Sequence, residues 1–247
     1  MLLLHVKAPF AAFRPFMAGS FRQTAPFVTP TAAYGLLLNL AGIESRRVNP
    51  SQPATDTALD LPACEVAVGM VREPGRGCLL QQLHNYPVGN TGKERVDDAH
   101  GAKYNIQPIT RELLVDVEAV LALRGDDDFE ERVRTGLKRG LLAPRRDGGL
   151  RYGVPFFGDN SFLVDVIEPL PSRACTELPA QWYGAIDKLP PHDGPRPGAC
   201  RMTTWIDRND MTRTTTALFA PTDTLTALPS EAAWVAITPP RGTPAVA

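Results

Sequence analysis

The sequence predicts an α+β protein: a ferredoxin-like βαββαβ core that carries a long β-hairpin, followed by a strand-rich C-terminal extension. Three observations predict it. Apolar residues alternate at residues 2–8 and 113–123, and each run is followed by a helix signal. A glycine-, asparagine- and charge-rich stretch, residues 76–111, lies between two apolar runs, as in a projecting hairpin. The resulting order of strand, helix, strand, hairpin, strand, helix, strand is that of a split β-α-β fold. The core is expected over residues 1–170, with the hairpin at about 76–111, and the extension over 171–247.

The elements follow in order. Leu2, Leu4, Val6 and Ala8 alternate with Leu3, His5 and Lys7, the pattern of an opening strand with one face inward. From Phe10 to Val28, aromatic residues mix with Arg14 and Arg22 around Pro15, Gly19 and Pro26, which predicts an ordered loop. Thr29 and Pro30 supply an N-cap and a first-turn proline. Ala33, Leu37, Leu40 and Ala41 then form an apolar stripe that ends at Gly42. Residues 45–62, with Pro50, Pro53 and Pro62, read as a surface loop, and Val66, Val68 and Met70 as a second strand. Leu113, Val115, Val117, Ala119, Leu121 and Leu123 share one parity against Glu112, Asp116 and Glu118, a half-buried strand.

Asp126–Asp128, Glu130 and Glu131 precede Arg132, Arg134, Lys138 and Arg139, so the charges match the helix dipole and predict a helix from about Asp128 to Leu142. Phe162, Val164 and Val166 alternate as the last core strand before Pro169 and Pro171. In the extension, strand signals lie around Met202–Ile206, Thr214–Phe219 and Trp234–Ile237.

Composition narrows the function. With 26 Lys and Arg against 27 Asp and Glu, the net charge is −1 and no global positive field points to nucleic acid. The 24 prolines and 20 glycines imply short elements and many loops. Cys64, Cys78, Cys175 and Cys200 are too dispersed for a disulfide framework or a zinc knuckle, so reduced thiols are expected. The opening run Met1–Lys7 is too short for a signal peptide, and no window approaches the ~18 apolar residues of a membrane span. A cytoplasmic protein without membrane partners is expected.

Familiar enzyme motifs are missing. In Gly89-Asn90-Thr91-Gly92-Lys93-Glu94, Pro87 and Glu94 occupy positions where a phosphate loop needs Gly and Ser or Thr. Gly158–Phe162 lacks the closing glycine of a nucleophile elbow. His5, His84, His100 and His192 form no i+3 or i+4 pair, so neither a metal site nor a cofactor is expected.

Three segments together resemble one family: Ala8-Pro9-Phe10-Ala11-Ala12-Phe13-Arg14 with Thr29–Leu37, Ile109–Val117, and Tyr152-Gly153-Val154-Pro155-Phe156-Phe157-Gly158. Over roughly residues 1–170 the chain resembles the Cas-five family of CRISPR-associated proteins, of the RAMP superfamily and related to RNA-recognition (RRM) folds. Its N-terminal passage is similar to the Dev-type branch. Members often carry an arginine after a Pro-aromatic-Leu-Gly unit. Here Phe157 replaces the leucine and Asp159 follows Gly158, which leaves Arg151 as the substitute.

The resemblance implies a non-catalytic subunit of a type I Cascade ribonucleoprotein complex in antiviral defence. Such a subunit caps the 5′ handle of CRISPR RNA (crRNA), and its hairpin acts as a thumb over the guide. It also contacts the backbone subunit and the large subunit that reads the PAM, close to target DNA.

The residues agree with RNA binding. Single strands are gripped by cations on phosphates and flat side chains on bases. Residues 1–43 hold Lys7, Arg14 and Arg22 and no acid before Glu44, with Phe10, Phe13, Phe16, Phe21 and Phe27 interleaved. Most of these phenylalanines are expected in the core. Candidate RNA contacts are Arg14, Arg22 and Gln23; His84, Asn85, Tyr86, Lys93, Lys103 and Tyr104 of the hairpin; and Arg151 and Tyr152. The alternative is a metal-independent endoribonuclease that processes precursor crRNA. It would draw base, acid and cation from His84 or His100, Tyr86 or Tyr104, and Lys93 or Lys103, with His84, Tyr86 and Lys103 as the catalytic set.

Overall fold

In this computed structural model the described residues are 1–15, 21–47, 56–58, 60–84, 106–138, 153–171, 178–206 and 211–239. The molecule is α+β, a large antiparallel sheet with two helices. Strands β1 (Leu2–Ala11), β5 (Cys64–Met70), β7 (Ile106–Gly125) and β8 (Val166–Pro169) lie side by side in the order β5-β7-β1-β8. Each neighbouring pair is antiparallel.

Helix α1 (Pro30–Ala41) begins and ends as its sequence dictates. The Thr29 hydroxyl accepts from the Ala32 N–H at 3.2 Å, a cap that contributes about 1 kcal/mol, and Gly42 closes the helix at φ 69°. Helix α2 (Asp127–Lys138) opens on acids, and the expected continuation to Leu142 lies outside the described residues. Both helices bury one face of the sheet, where Leu2, Leu4, Val6, Val66, Val68, Val117, Leu121 and Leu123 meet Leu37, Leu40, Phe129 and Val133.

The hairpin is present at its base. Strand β6 (Gly75–His84) pairs with β7 in register from Gly75↔Val115 to His84↔Ile106, and the connecting residues 85–105 are outside the described ones. Asp116, at φ 54°, lies where β7 leaves β5 and takes β6 as its partner. The expected single parity of β7 therefore breaks. Val117, Ala119, Leu121 and Leu123 face the helices, but before the break Leu114 takes the core position. The strand is also buried on both faces over 119–123, where Val120 and Ala122 join Leu3, Ala67 and Trp182 in a second cluster.

Other expectations need correction. The opening strand runs on through Phe10 and Ala11, so the expected loop starts later and contains a short strand, β2 (Phe21–Arg22). Residues 45–62 include a small ladder of β3 (Arg46–Arg47) and β4 (Asp56–Thr57). Phe162 and Val164 are not in a strand. The Phe162 N–H bonds to the Asp159 carbonyl in a turn, and β8 starts only at Val166. Pro169 fits inside β8 because an edge strand has one row of N–H groups with no ladder to serve.

The C-terminal strands lengthen the same sheet. Strands β9 (Ala180–Ala185), β10 (Cys200–Trp205) and β11 (Thr215–Thr226) continue it in the order β10-β11-β9-β5, and β12 (Val235–Ile237) also pairs with β5. Arg124 fastens this part to β7. It donates to Glu65 at 2.6 Å and to both carboxylate oxygens of Glu231 at 2.8 and 2.9 Å, and it lies 4.3 Å over the Trp234 ring. Strand β9 had no sequence signal of its own.

Candidate nucleic-acid interface

The segment that leaves β1 and the segment that enters α1 run together at one end of β7. The Phe13 N–H donates to the Thr24 hydroxyl at 2.9 Å, and the Ala25 N–H donates back to the Phe13 carbonyl at 2.7 Å. Glu112 holds this pair to β7. Its carboxylate accepts from the Thr24 N–H at 3.0 Å and from Arg76 at 3.1 Å. Strand β2 then lies parallel to β7, Phe21 opposite Thr110 and Arg22 opposite Arg111.

Between these walls is a cleft of about 360 Å³, lined by residues 12–15, Phe21, Arg22, Gln23, Arg111, Glu112, Gly158 and Asp159. Three of the sequence candidates, Arg14, Arg22 and Gln23, are thus brought together. Gly158 forms its far side at φ 81°, packed so closely that a Cβ there would overlap the Ala12 carbonyl. This close approach accounts for the glycine.

The charges in the cleft have unequal freedom. Arg111, almost fully buried, donates to Asp159 at 2.9 Å, and Asp159 also accepts from the Ser161 N–H at 3.0 Å. Burial works to raise the Asp159 carboxyl, but the Ser161 and Arg111 bonds outweigh it and hold it below the usual range. Among the described residues Arg14 and Arg22 form no salt bridge. Burial lowers the Arg22 guanidinium from its ordinary value, and the positive charges of Arg14 and Arg111 lower it further, partly offset by Asp159. Cations crowded this way are stabilised by an incoming anion.

Lys7, the third base of the acid-free segment, is not part of the cleft. It sits with His5 and Arg72 around Glu118, 3.0 Å from that carboxylate. Arg111 was not among the candidate contacts, and Phe21 was not singled out from the interleaved phenylalanines, whereas both line the cleft. Its place in the motif Ile109–Val117 was the available signal for Arg111. The other candidates, Asn85, Tyr86, Lys93, Lys103, Tyr104, Arg151 and Tyr152, and His100 of the nuclease alternative, lie outside the described residues. So does the His84 side chain, although the His84 backbone ends β6.

Residues 1–210, which hold the whole cleft, match the family model described as CRISPR-associated protein (Cas_Cas5). The chain belongs to this family. The sequence matches none of the curated proteins compared with it. Among solved structures, this Cas_Cas5 chain is similar to one titled "CRISPR RNA-guided surveillance complex", at 14% identity and a TM-score of 0.55, covering 94% of this chain and 95% of that one. It also resembles one titled "Crystal structure of Cas protein", at 14% identity and a TM-score of 0.45, over 89% and 92% of the two chains. The likeness to the first extends beyond residue 210, where the family match ends. Among the described residues no helix of this Cas_Cas5 protein is long and apolar enough to cross a membrane, and no group of His, Cys, Asp and Glu could hold a metal ion.

Proposed function

We propose that this chain is a non-catalytic subunit of a type I Cascade complex that holds the 5′ handle of crRNA, with the handle's phosphates on Arg14 and Arg22. The observation that carries the proposal is the cleft itself: two guanidiniums that form no salt bridge among the described residues, in a segment with no acid before residue 44. A single strand needs cations placed at phosphate spacing and an accessible groove, and net charge is irrelevant to that local demand. The similar structure is described as a CRISPR RNA-guided surveillance complex, which supports the assembly part of the reading.

On this reading the strands β5-β7-β1-β8 and both helices are a ferredoxin-like RAMP core. The support is that their order and antiparallel pairing are those of a split β-α-β unit. The core is residues 1–170, the hairpin of β6 and β7 is the thumb, and residues 171–247 extend the sheet toward the neighbouring subunits. The partners are the guide, the backbone subunit, and the large subunit near target DNA at the PAM, all in the cytoplasm.

The test is binding of single-stranded handle RNA across a salt series. Arg14→Ala with Arg22→Ala weakens binding and flattens the dependence of log affinity on log salt by about 0.7 for each lost phosphate contact. An unchanged affinity and slope removes the cleft as the RNA site. Co-purification with the neighbouring subunits and a bound small RNA tests the assembly directly.

A further inference from the structure

The described phenylalanines between residues 10 and 28 differ in exposure and in ring partners. Phe13 and Phe27 are 1% and 0% exposed, in contact with Phe157 and Tyr183 respectively. Phe10 is 45% exposed but leans on Phe162, with ring centroids 6.3 Å apart. Phe21 is 46% exposed, has no ring contact among the described residues, and lines the cleft beside Arg14 and Arg22. Its backbone is paired to Thr110 of β7, so the ring stands in the same frame as the Arg111–Asp159 pair one residue along. Core packing therefore does not explain it.

A nucleotide presents an anion and a flat apolar face about one sugar apart, and single-strand binders answer with a cation and an aromatic ring. The cleft offers both. Its volume of about 360 Å³ falls at the small end of enclosed ligand sites, about 300–1,000 Å³, which suits one unpaired nucleotide and not a duplex. Gln23 also lines the cleft, and its side-chain amide has no partner among the described residues, so it can both donate to and accept from a base edge.

We propose that Phe21 is a stacking platform for one unpaired nucleobase of the bound RNA, the phosphate beside that base resting on Arg14 and Arg22 and the base edge facing Gln23. This rests on the reading of the cleft as the RNA site and adds a base subsite to it. It makes one nucleotide of the strand locked by shape, where the arginines alone would let the strand slide.

The experiment uses the full chain and a short single-stranded handle RNA, with an abasic nucleotide walked along it. Phe21→Ala weakens binding about tenfold, within the range of one base–aromatic stack, and leaves the salt slope unchanged. Phe21→Trp retains binding, and one abasic position erases the difference between Phe21→Ala and the parent. The inference is overturned if Phe21→Ala or Phe21→Leu binds as the parent does while the double arginine variant is weakened. In that case the RNA site stands without a base on Phe21. If the double arginine variant also binds normally, the cleft reading fails and this inference fails with it. Phe21→Trp and Phe21→Leu keep an apolar side chain, so the comparison survives even if the alanine variant is poorly folded.

Discussion

Arg111 and Asp159, 48 residues apart in sequence, close a 2.9 Å ion pair at the back of the cleft. The pair ties β7 to the turn after Gly158 and neutralises the most deeply placed cation, so the two arginines nearer the solvent are left to meet a ligand.

Asp159→Asn should therefore separate stability from binding. Losing the carboxylate leaves Arg111 buried without its counter-charge, at a cost of about 1–2 kcal/mol, below the full buried-pair figure because Asp159 is partly solvated. The same change adds a free cation to the cleft, so under the proposed function RNA binding tightens and its salt dependence steepens. The pH dependence has a definite sign. The folded-state value of Asp159 is depressed, so its contribution is complete above the ordinary value of about 3.9 and is lost as pH falls through the lower folded value. Denaturation midpoints measured from pH 6 to pH 3 should fall less in Asp159→Asn than in the parent.

Gly136→Ala should destabilise, although alanine is normally favoured in a helix by about 1 kcal/mol. A Cβ on Gly136 would overlap the Leu40 carbonyl oxygen, because α2 crosses α1 backbone to backbone at this point. Separating the helices costs about 1–3 kcal/mol, so the melting temperature drops. A rise would show that the helices do not approach this closely.

Gly158→Ala combines backbone strain at φ 81° with a clash against Ala12. The strain alone costs about 1–3 kcal/mol. Because Ala12 and Gly158 both line the cleft, under the proposed function this variant should lose RNA affinity along with stability, in contrast to Asp159→Asn. Calorimetry and binding on the same samples distinguish the two.

The cysteines should differ in reactivity. Burial, aided by the charge of Glu65, pushes the Cys64 thiol up to about 12, whereas Cys78 is exposed on β6. The thiolate is the nucleophile, so at pH 8 an alkylating reagent should modify Cys78 and spare Cys64 until the protein unfolds. Peptide mass spectrometry over a time course reads this. Early labelling of Cys64 would mean that β5 opens locally.

Much of the core was written in short-range pattern. The alternation from Leu2 to Ala8, the Thr29–Pro30 start and Gly42 stop of α1, and the acid-to-base gradient of α2 are each decided within a few residues of backbone, so composition reveals them. Strand β9 escaped notice because Ala180, Trp182 and Gly184 lack the polar alternation of a half-wet strand. Trp182 is fully buried, and Gly69 of β5 leaves room for it. Phe162 misled for the opposite reason: its apolar spacing to Val164 imitates a strand, but the Asp159 carbonyl captures its N–H first.

The site divides in the same way. Segregated charge marked Arg14 and Arg22, since a run of 43 residues without an acid can be seen by eye. Which bases are already committed could not be seen. Lys7 is paired with Glu118 and Arg111 with Asp159, partners 111 and 48 residues away that only the folded chain brings within 3.0 Å. Local order is set by torsion and periodicity between near neighbours, which a string of letters carries. The freedom of a charge, or the exposure of a ring such as Phe21, is set by whatever the folded chain packs against it.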